Sequence, residues 1–363
     1  MSSATEAAAR RDALAERLFE AVLGLVDVHM VHVGDRLGLY RELAKGPASP
    51  AELARRAGVD ERYAREWLEQ QAVSGLLEVD DPGDGPERRR FRMPPGHEEV
   101  LVDRDSPAYM AAFARMMVGM VRPVPRLLEA FRTGGGVPYA AFDADFCDGQ
   151  AEANRVLFVN FLGSDWLPAL PDVDRRLRSQ PPARVADVAC GAGWSSIAIA
   201  EAYRLVTVDG LDLDAHSIDL ARRNAAGAGV HERVRFELGD AADPPLRGPY
   251  DLVTIFEAVH DMSRPVDALR AVRGLLAPGG AALVADERSA DAFAAPGDPL
   301  ERVLYGWSVL HCLPTAMVDP GSAATGTAMR ASDLRRYAQA AGFSRVEVLP
   351  IENDIWRFYR LHP

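Results

Sequence analysis

The chain has 363 residues, of which 48% are hydrophobic and 26% charged, so it is long enough and apolar enough to form two folded domains. Its formal net charge of −12 argues against a general nucleic-acid binder, because such proteins neutralise phosphates with basic side chains. The 3 cysteines are widely spaced and form no CxxC pair, which argues against a disulfide scaffold or a cysteine-rich zinc site. The N-terminus has no apolar core of signal-peptide length, and no run reaches the roughly 18 apolar residues of a membrane span. We therefore expect a cytoplasmic protein with no membrane partner.

The first predicted helix carries an apolar stripe. Its members recur at helical spacing, which places them on one face of the helix: Leu14, Leu18, Val22, Leu25 and Val33. An amphipathic helix needs a partner for such a face, so we expect the stripe to be buried in the two-fold interface of a homodimer. Burial within the same chain is the alternative.

Residues 47–95 have the pattern of a winged helix. Ser49 is a candidate N-cap, Gly58 ends the helix that follows, and Asp60 opens a longer helix. A turn and a short strand then form the wing. We predict a helical, winged-helix-like domain over residues 1–105.

The rest of the chain changes from helices to alternating strands and helices. Residues 106–180 are predicted to be helical, and we interpret them as a linker and a lid. From residue 183 onward, short apolar runs alternate with helical stretches, which predicts a parallel sheet covered on both faces. Two late strands are too close together for a crossover helix, so they should pair antiparallel. The predicted α/β domain spans 181–363, with a helical insertion at 291–330.

The strongest motif is the run from Asp187 to Gly193, which follows the first strand of this domain. Its glycines let the backbone approach a ligand closely, and the next helix offers free N–H groups at its N-terminus. An NAD fingerprint would have a third glycine where this chain has Ser196. Asp212, at the end of the second strand, is placed to accept both hydroxyls of a ribose. Asp240, after the third strand, can accept from an adenine amino group.

Four motifs, DxxCGxG, GLDLD, GDA and LxPGG, occur in the order and spacing of class I S-adenosylmethionine (SAM)-dependent methyltransferases. Residues 183–290 and 330–361 resemble that family. The resemblance implies an α/β fold with a Rossmann-like seven-stranded sheet, mostly parallel with an antiparallel last strand. It makes residues 181–363 the SAM-binding catalytic domain, in which Ala189 stands where the family often has glycine. The cofactor-binding residues that it implies are Asp187, Gly191, Ala192, Gly193, Asp212, Leu213, Asp240, Ala241 and Phe256.

The fourth strand ends at the run VHDMS, which contains His260 and Asp261. With residues 11–95, this run resembles the two-domain small-molecule O-methyltransferases, whose winged-helix-like domain dimerises and whose catalytic histidine matches His260. The resemblance implies a small-molecule acceptor that His260 deprotonates as a general base, which suits a phenol or an enol. Asp261 would orient the ring or bind substrate, and Glu287 matches an acidic position of the family. A structural role for His260 is the alternative.

His311 lies in the helical insertion after the fifth strand, where insertions cover the pocket in this fold. With His260 and Asp261 it forms a set of two histidines and one carboxylate, which can hold non-haem iron or another divalent metal. A similar His-Asp pair with a later histidine occurs in metal-dependent C-methyltransferases of α-keto acids. That activity is therefore an alternative to metal-free O-methylation.

Aromatic residues of the lid and the insertion should line the substrate pocket: Tyr139, Phe142, Phe146 and Trp307. Core packing is the alternative for each of them.

The winged helix leaves one other function open, that of a SAM-sensing regulator that binds DNA. Arg88, Arg89 and Arg90 in the wing favour this hypothesis, but Glu61 and Glu66 and the net charge oppose phosphate binding. The sequence also lacks the Asn-Pro-Pro-Tyr motif of base-flipping methyltransferases. We therefore expect no nucleic-acid partner.

Overall fold

The computed structural model describes residues 3–363, and the chain forms two compact units that meet in sequence between Gly119 and Met120. The first unit is mainly helical, and the second contains a large sheet. No helix within this described range combines the length and the hydrophobicity that crossing a membrane requires.

The first unit has the element order of a winged helix. In chain order its elements are α1 (Ser3–Arg36), α2 (Leu39–Ala44), α3 (Pro50–Ala57), α4 (Glu61–Val73), β1 (Glu78–Val79), β2 (Phe91–Arg92), α5 (His97–Leu101) and α6 (Ala111–Met120). The short strands β1 and β2 pair antiparallel, with Val79 opposite Phe91, and form the wing. The winged-helix-like architecture expected of the N-terminal region is confirmed.

The ends of α3 and α4 lie where the sequence predicts them. The Ser49 hydroxyl accepts from the backbone N–H of Glu52, and the Glu52 carboxylate accepts from the backbone N–H of Ser49, which is a capping box. Gly58 ends α3 with a φ of 69°, a left-handed conformation that glycine adopts without strain. The Asp60 carboxylate accepts from two backbone N–H groups in the first turn of α4. These contacts satisfy backbone groups that helix ends leave unpaired.

The helix α1 is packed at its C-terminal end and exposed before it. Leu18 is 56% exposed and Leu25 is 54% exposed, whereas Val33 packs against the core of the same unit. The indole N–H of Trp67 in α4 donates to the carbonyl of Met30 at 3.0 Å and holds this end of α1 in place. The predicted stripe is therefore divided, and Val33 belongs to the unit's own core.

Each arginine of the wing pairs with an acidic side chain of the same unit. Arg89 lies 2.7 Å from Glu69 in α4, and Arg90 lies 2.8 Å from Glu52 in α3. Arg88 pairs at 3.4 Å with an aspartate of the wing itself. These ion pairs neutralise the charge on which the DNA-binding hypothesis depends.

The second unit is built on a 7-stranded sheet. Its strands are β3 (Arg184–Val188), β4 (Thr207–Asp212), β5 (Val234–Leu238), β6 (Tyr250–Phe256), β7 (Leu276–Glu287), β8 (Arg345–Val348) and β9 (Trp356–His362). The strand order is β5-β4-β3-β6-β7-β9-β8, and β9 runs antiparallel to both of its neighbours. The remaining neighbours pair parallel, so the predicted mostly parallel sheet with an antiparallel last strand is confirmed.

Helices pack on both faces of this sheet, and others lie in the segments that precede it or are inserted into it. In chain order the helices of this unit are α7 (Val124–Thr133), α8 (Ala144–Leu157), α9 (Pro171–Leu177), α10 (Trp194–Ala202), α11 (Ala215–Gly227), α12 (Pro265–Leu275), α13 (Pro299–Trp307), α14 (Leu313–Ala316) and α15 (Ala331–Ala340). A 3₁₀ turn at Tyr139–Ala141 precedes α8, and π-helical segments at Phe158–Trp166 and Ser308–Cys312 continue α8 and α13. Such π-helical turns often occur at functional sites.

Two hydrophobic clusters fill the space between the sheet and its helices. Successive residues of β3 alternate between them, with Val185 in one cluster and Ala186 in the other. Burial on both faces explains why the strands of this unit read as nearly continuous apolar runs.

Candidate active site

A cavity of about 510 Å³ lies at the carboxyl ends of the parallel strands in the second unit. This volume falls within the range of about 300–1,000 Å³ that is typical of ligand pockets. The wall comes from the loops after β3, β4, β5 and β6, from α8, and from the insertion that carries α13 and α14.

The loop after β3 brings backbone atoms to the cavity. Ala189, Gly191 and Gly193 have φ angles of 57°, 51° and 79°, all in the left-handed region. A Cβ on Gly193 would collide with Phe236, whereas a Cβ on Gly191 would enter open space. Gly193 is therefore required for packing, and Gly191, with Ala192 beside it, presents its backbone to a ligand.

Asp187 lies below this loop and does not line the cavity. It is buried and accepts from the hydroxyls of Ser195 and Ser196 at 2.6 Å each and of Thr254 at 2.7 Å. Burial raises the pKa of Asp187, and these hydrogen bonds act in the opposite direction. Asp187 thus fixes the start of α10 against β6, and Ser196, which replaces a third glycine, takes part in that contact.

Asp212 is held at the end of β4 with its carboxylate on the cavity wall. Gly191 N donates to Oδ2 at 2.8 Å, and Asp214 N donates to Oδ1 at 2.9 Å. Burial raises the pKa of Asp212, and these two backbone donors act in the opposite direction. A carboxylate has further lone pairs beyond these two bonds, so Asp212 can still accept from a pair of ribose hydroxyls. Leu213 also lines the cavity and is exposed.

Asp240, predicted to accept from an adenine, already has partners in this structure. Its Oδ2 accepts from Arg264 at 2.5 Å, and its Oδ1 accepts from the backbone N–H of Ala242 at 2.8 Å. Ala241 and Phe256 line the same part of the cavity. The pairing of Asp240 with Arg264 is not predicted by the sequence motifs.

His260 is buried behind the cavity wall at the carboxyl end of β6. Its Nδ1 lies 2.6 Å from Asp286 Oδ1 in β7, and its Nε2 lies 3.3 Å from Asp261 Oδ1. Burial by itself lowers the pKa of His260, but the charges of Asp286 and Asp261 more than offset it, so that pKa lies well above its ordinary value. Asp261 does line the cavity, beside Nε2 of the ring.

Two glutamates form a second acidic group at the same strand ends. Glu257 directly follows β6, lines the cavity, and accepts a hydrogen bond from Asn154 of α8. Glu287, at the end of β7, is buried, and neither of its carboxyl oxygens meets a hydrogen-bond donor among residues 3–363. Burial raises the pKa of Glu257 to about 7, and burial together with the Glu257 charge raises that of Glu287 well above the ordinary value.

His311 reaches the cavity from the π-helical segment of the insertion. Its ring lies among three of the predicted aromatic residues, with centroid distances of 4.3 Å to Phe146, 4.6 Å to Phe142 and 5.7 Å to Tyr139. Burial lowers the pKa of His311 to about 4, so the ring is neutral at pH 7, and its Nε2 has no hydrogen-bond partner in the described chain. Trp307, the fourth predicted aromatic residue, lies half-buried at the end of α13 and does not line the cavity.

Cys312 takes part in a cluster that the sequence did not indicate. One ligand atom from each of His260, Asp261 and Cys312 lies within 4.8 Å of the others. The same burial that encloses the cluster raises the pKa of the Cys312 thiol to about 12. His311, the third member of the predicted metal-binding set, is not part of this cluster, in which its neighbour Cys312 takes its place.

The structure brings most of the predicted site residues to the cavity. Those that line it are Tyr139, Gly191, Ala192, Asp212, Leu213, Asp240, Ala241, Phe256, Asp261 and His311. Those that do not are Asp187, Phe142, Phe146, Gly193, His260, Glu287 and Trp307. The second group packs behind the wall or shapes it, apart from Trp307.

Sequence reasoning missed Glu257, Asn154, Asp286 and His216. Glu257 could have been found by the argument that identified Asp212, since both are acidic residues at strand ends. Asp286 directly precedes the predicted Glu287, and only the pairing of β6 with β7 shows which of the two meets His260. His216, to which the sequence analysis assigns no role, lines the cavity at the start of α11.

Comparisons with known proteins agree with this architecture. A family model described as "Methyltransferase domain" matches residues 185–280, and one described as "Rv2258c-like winged HTH domain" matches residues 21–103. The first range contains the glycine loop, Asp212 and His260, and the second contains the winged helix. The chain is a SAM-dependent methyltransferase with a winged helix-turn-helix domain before its catalytic domain.

Similar proteins share this two-domain organisation. The mouse acetylserotonin O-methyltransferase is 27% identical over 302 residues, which are 79% of this chain and 76% of the mouse protein. The structure of human N-acetylserotonin methyltransferase in complex with SAM superposes with a TM-score of 0.72 at 18% identity, over 96% of this chain and 97% of that one. The mitomycin 7-O-methyltransferase MmcR superposes with a TM-score of 0.66 at 21% identity, over 98% and 99%. These structures share the fold of this chain.

The cavity residues fit the cofactor. The space in front of Gly191 would be filled by a Cβ, and the Asp212 carboxylate faces the cavity with lone pairs to spare. A ligand with a ribose can therefore lie across the ends of β3 and β4.

Proposed function

We propose that this methyltransferase transfers the methyl group of SAM to an oxygen atom of a small molecule, with His260 as the general base. The observation that carries the proposal is the buried pair of His260 and Asp286 at the carboxyl ends of β6 and β7, directly behind the cavity wall. A histidine held by a carboxylate in this way has a fixed ring orientation, as in other proton-transfer sites.

SAM, when bound, supplies a methyl group that its sulfonium already activates. The protein must align the acceptor and remove its proton. Asp286 binds Nδ1, so Nε2 is the nitrogen that lies on the side of Asp261 and the cavity. The carboxylates raise the pKa of His260, so the neutral ring that can accept a proton becomes more abundant as the pH rises, and methyl transfer should rise with it.

The names of the relatives support an oxygen acceptor on a small molecule. The mouse and human proteins are named for acetylserotonin, and MmcR is named for O-methylation of mitomycin. These names describe those proteins, and for this chain they support the class of acceptor but not its identity.

Methyl transfer from SAM labelled in its methyl group to a panel of phenols, enols and amines tests the proposal. We expect labelled methyl ethers from the phenols or enols, identified by mass spectrometry. Labelled products methylated only at nitrogen or carbon would contradict it.

We propose further that residues 1–105 form the dimerisation domain, that residues 106–180 act as linker and lid, and that the apolar face of α1 lies in a homodimer interface. Leu14, Leu18, Val22 and Leu25 are all exposed on this helix, and burying them would remove a large apolar surface from water.

Leu18→Arg should give monomers at micromolar concentration in sedimentation experiments. Val73→Arg, at an exposed position on α4 of the same unit, is the matched control and should leave the dimer intact. A wild-type monomer would contradict this proposal.

A second candidate function is metal-dependent C-methylation of an α-keto acid. The observation that favours it is the cluster of His260, Asp261 and Cys312. Apart from the ion-pair contact of Asp261 Oδ1 with His260, neither this oxygen nor the nearby His311 Nε2 has a hydrogen-bond partner in the part of the chain that the structure describes. Nitrogen, oxygen and sulfur donors together suit iron or zinc. These residues would hold the ion, which would supply a Lewis acid for an enolisable acceptor.

Elemental analysis separates the two candidates. A wild type that carries about one metal per chain, and loses metal and activity together in His260→Ala, Cys312→Ser and in chelator, would support the second function, and a labelled C-methyl product from an α-keto acid would identify it. A wild type without metal that remains active in chelator would exclude it. Cys147→Ser, at a cavity residue outside the cluster, is the matched control for the cysteine variant.

A further inference from the structure

Glu257 has no role in the proposed proton transfer, yet its backbone is strained. It directly follows β6 with a φ of 52°, in the left-handed region that only glycine adopts easily. Its backbone N–H donates to the carbonyl of Ala285 at 2.8 Å, so pairing with β7 continues up to this residue. Strain of this kind persists only where the surroundings fix it, and it is concentrated at ligand sites.

The carboxyl group of Glu257 is held from two sides. Asn154 donates to Oε2 from α8, and Glu287 approaches from the end of β7. Burial and the charge of Glu257 both raise the pKa of Glu287 well above its ordinary value, which favours a proton shared between the two carboxyl groups. A proton on Glu287 finds a hydrogen-bond acceptor in Glu257, whereas the described residues give the Glu287 carboxyl group no other partner. Glu257 therefore stays in place as an acceptor on the cavity wall.

The charge of the cavity wall is mainly negative. Asp212, Asp261 and Asp319 line it together with Glu257. Among the described residues, Arg264 is the one lysine or arginine that lines it, and this arginine is paired with Asp240. A carboxylate on the acceptor would meet like charges, whereas a hydroxyl or an amine would meet hydrogen-bond acceptors.

We infer that Glu257 binds a hydrogen-bond donor of the acceptor molecule, a hydroxyl or amino group other than the one that is methylated. The site therefore takes neutral or cationic acceptors that carry such a second donor, in preference to acceptors with a carboxylate. This inference rests on the proposed function and names the class of acceptor for it. Glu257 and His260 stand at the end of the same strand, so the second donor lies close to the methylated group.

The test compares phenol, catechol, 2-aminophenol and salicylate as acceptors. Binding to the enzyme loaded with S-adenosylhomocysteine is measured by calorimetry, and transfer is measured with labelled SAM. The wild type should favour catechol and 2-aminophenol over phenol and salicylate in both assays. Glu257→Gln keeps the shape but loses the charge, and it should raise the Kd and KM of the two favoured compounds about 10- to 100-fold. Phenol should be affected much less, and the affinity for S-adenosylhomocysteine should stay unchanged.

Glu237→Gln, which removes an equal charge at an exposed position on β5, is the matched control and should behave as the wild type. The inference is overturned if catechol and 2-aminophenol bind no better than phenol, or if Glu257→Gln weakens all acceptors equally. The two assays also separate the two proposals. A binding preference that Glu257→Gln abolishes, without methyl ethers from any acceptor, would support the inference and contradict O-methylation. Methyl ethers formed without any such binding preference would support O-methylation and contradict the inference.

Discussion

His260 and His311 are two buried histidines near Asp261, and their surroundings differ in kind. His260 lies between two carboxylates, with Asp286 at 2.6 Å and Asp261 at 3.3 Å, whereas His311 lies among aromatic rings. Burial lowers the pKa of both rings. At His260 the two carboxylates more than offset the effect of burial and raise the pKa. At His311 the charge of Asp261 does not offset it, and the pKa remains at about 4.

This difference shows that the partner, more than the depth of burial, decides the direction in which the pKa of a buried histidine shifts. A ring fixed by a carboxylate can exchange a proton in a defined direction. A neutral ring among aromatic side chains contributes shape and one unpaired nitrogen. We therefore expect the two histidines to respond differently to the same substitution.

The largest effect should come from His260→Ala. Loss of the general base should slow methyl transfer about 10²- to 10⁴-fold, because the acceptor then keeps its proton. SAM affinity should be nearly unchanged, since the glycine loop and Asp212 lie at the ends of other strands. Single-turnover rates and calorimetry measure the two quantities.

His311→Ala is the matched variant for this comparison. In a metal-free enzyme it should raise KM and change kcat less than about tenfold, because the neutral ring shapes the cavity. Equal losses of kcat in both variants would show that the difference in environment has no consequence for the reaction.

A large effect on stability should come from the ion pair that holds the insertion carrying His311. Arg330 binds Glu301 of α13 through both carboxylate oxygens, at 2.6 and 3.0 Å, and both side chains are largely buried. Glu301→Gln leaves the arginine uncompensated and should reduce the free energy of unfolding by about 3–5 kcal/mol. Chemical denaturation measures the loss, and Glu237→Gln at the protein surface serves as the control.

The same pair predicts a dependence on pH. Hydrogen bonds from Arg330 lower the pKa of Glu301 below its usual value of 4.5. A lowered pKa in the folded state gives stability that is fully present above 4.5 and is lost as the pH falls through the folded value. The wild type should therefore lose more stability than Glu301→Gln on acidification below this range. If the free energies of unfolding of the two proteins fell equally on acidification, the assignment of this stability to the Arg330–Glu301 pair would be wrong.

An intermediate effect should come from Asp212→Ala on the cofactor side of the cavity. The loss of hydrogen bonds between a charged group and ribose hydroxyls should weaken SAM binding by about 1.5–3 kcal/mol. Calorimetry of SAM and of S-adenosylhomocysteine measures it. Unchanged affinities would show that the ribose does not lie on Asp212.

The smallest effect should come from Ala189→Gly. Ala189 has a φ of 57°, and glycine removes that strain while it increases the entropy of the unfolded chain, so a net gain of about 0.5–1 kcal/mol is expected. Ala192→Gly, in the same loop but without a positive φ, should be destabilising by a similar amount. Thermal unfolding without ligand distinguishes the two, and equal shifts would contradict the strain argument.

Much of the fold could be predicted from the sequence because its signals are local. Ser49, Gly58 and Asp60 cap helices through atoms a few residues away. Apolar runs that end in glycine or aspartate mark strands that must be buried on both faces. The division of the α1 stripe was missed, because spacing places Val33 and Leu18 on one face but does not show where the rest of the unit packs.

The part of the site that cannot be predicted from the sequence depends on which way the side chains of neighbouring strands point. Asp286 and Glu287 are neighbours, yet one meets His260 and the other approaches Glu257. Successive side chains of a strand point to opposite faces, so the assignment requires the register of β6 against β7. Cys312 was missed for a related reason, since the π-helical geometry of its segment was not predicted.

That π-helical geometry has a consequence for insertions and deletions. A π-helical turn accommodates about one residue more than an α-helix of the same rise. Removing one residue from Ser308–Cys312 would restore regular α-helical geometry, and each residue step of an α-helix corresponds to a rotation of about 100°. We expect this rotation to move both His311 and Cys312 away from Asp261, although neither residue is substituted. The length of this segment is therefore as strict a requirement for the site as the identity of the residues in it.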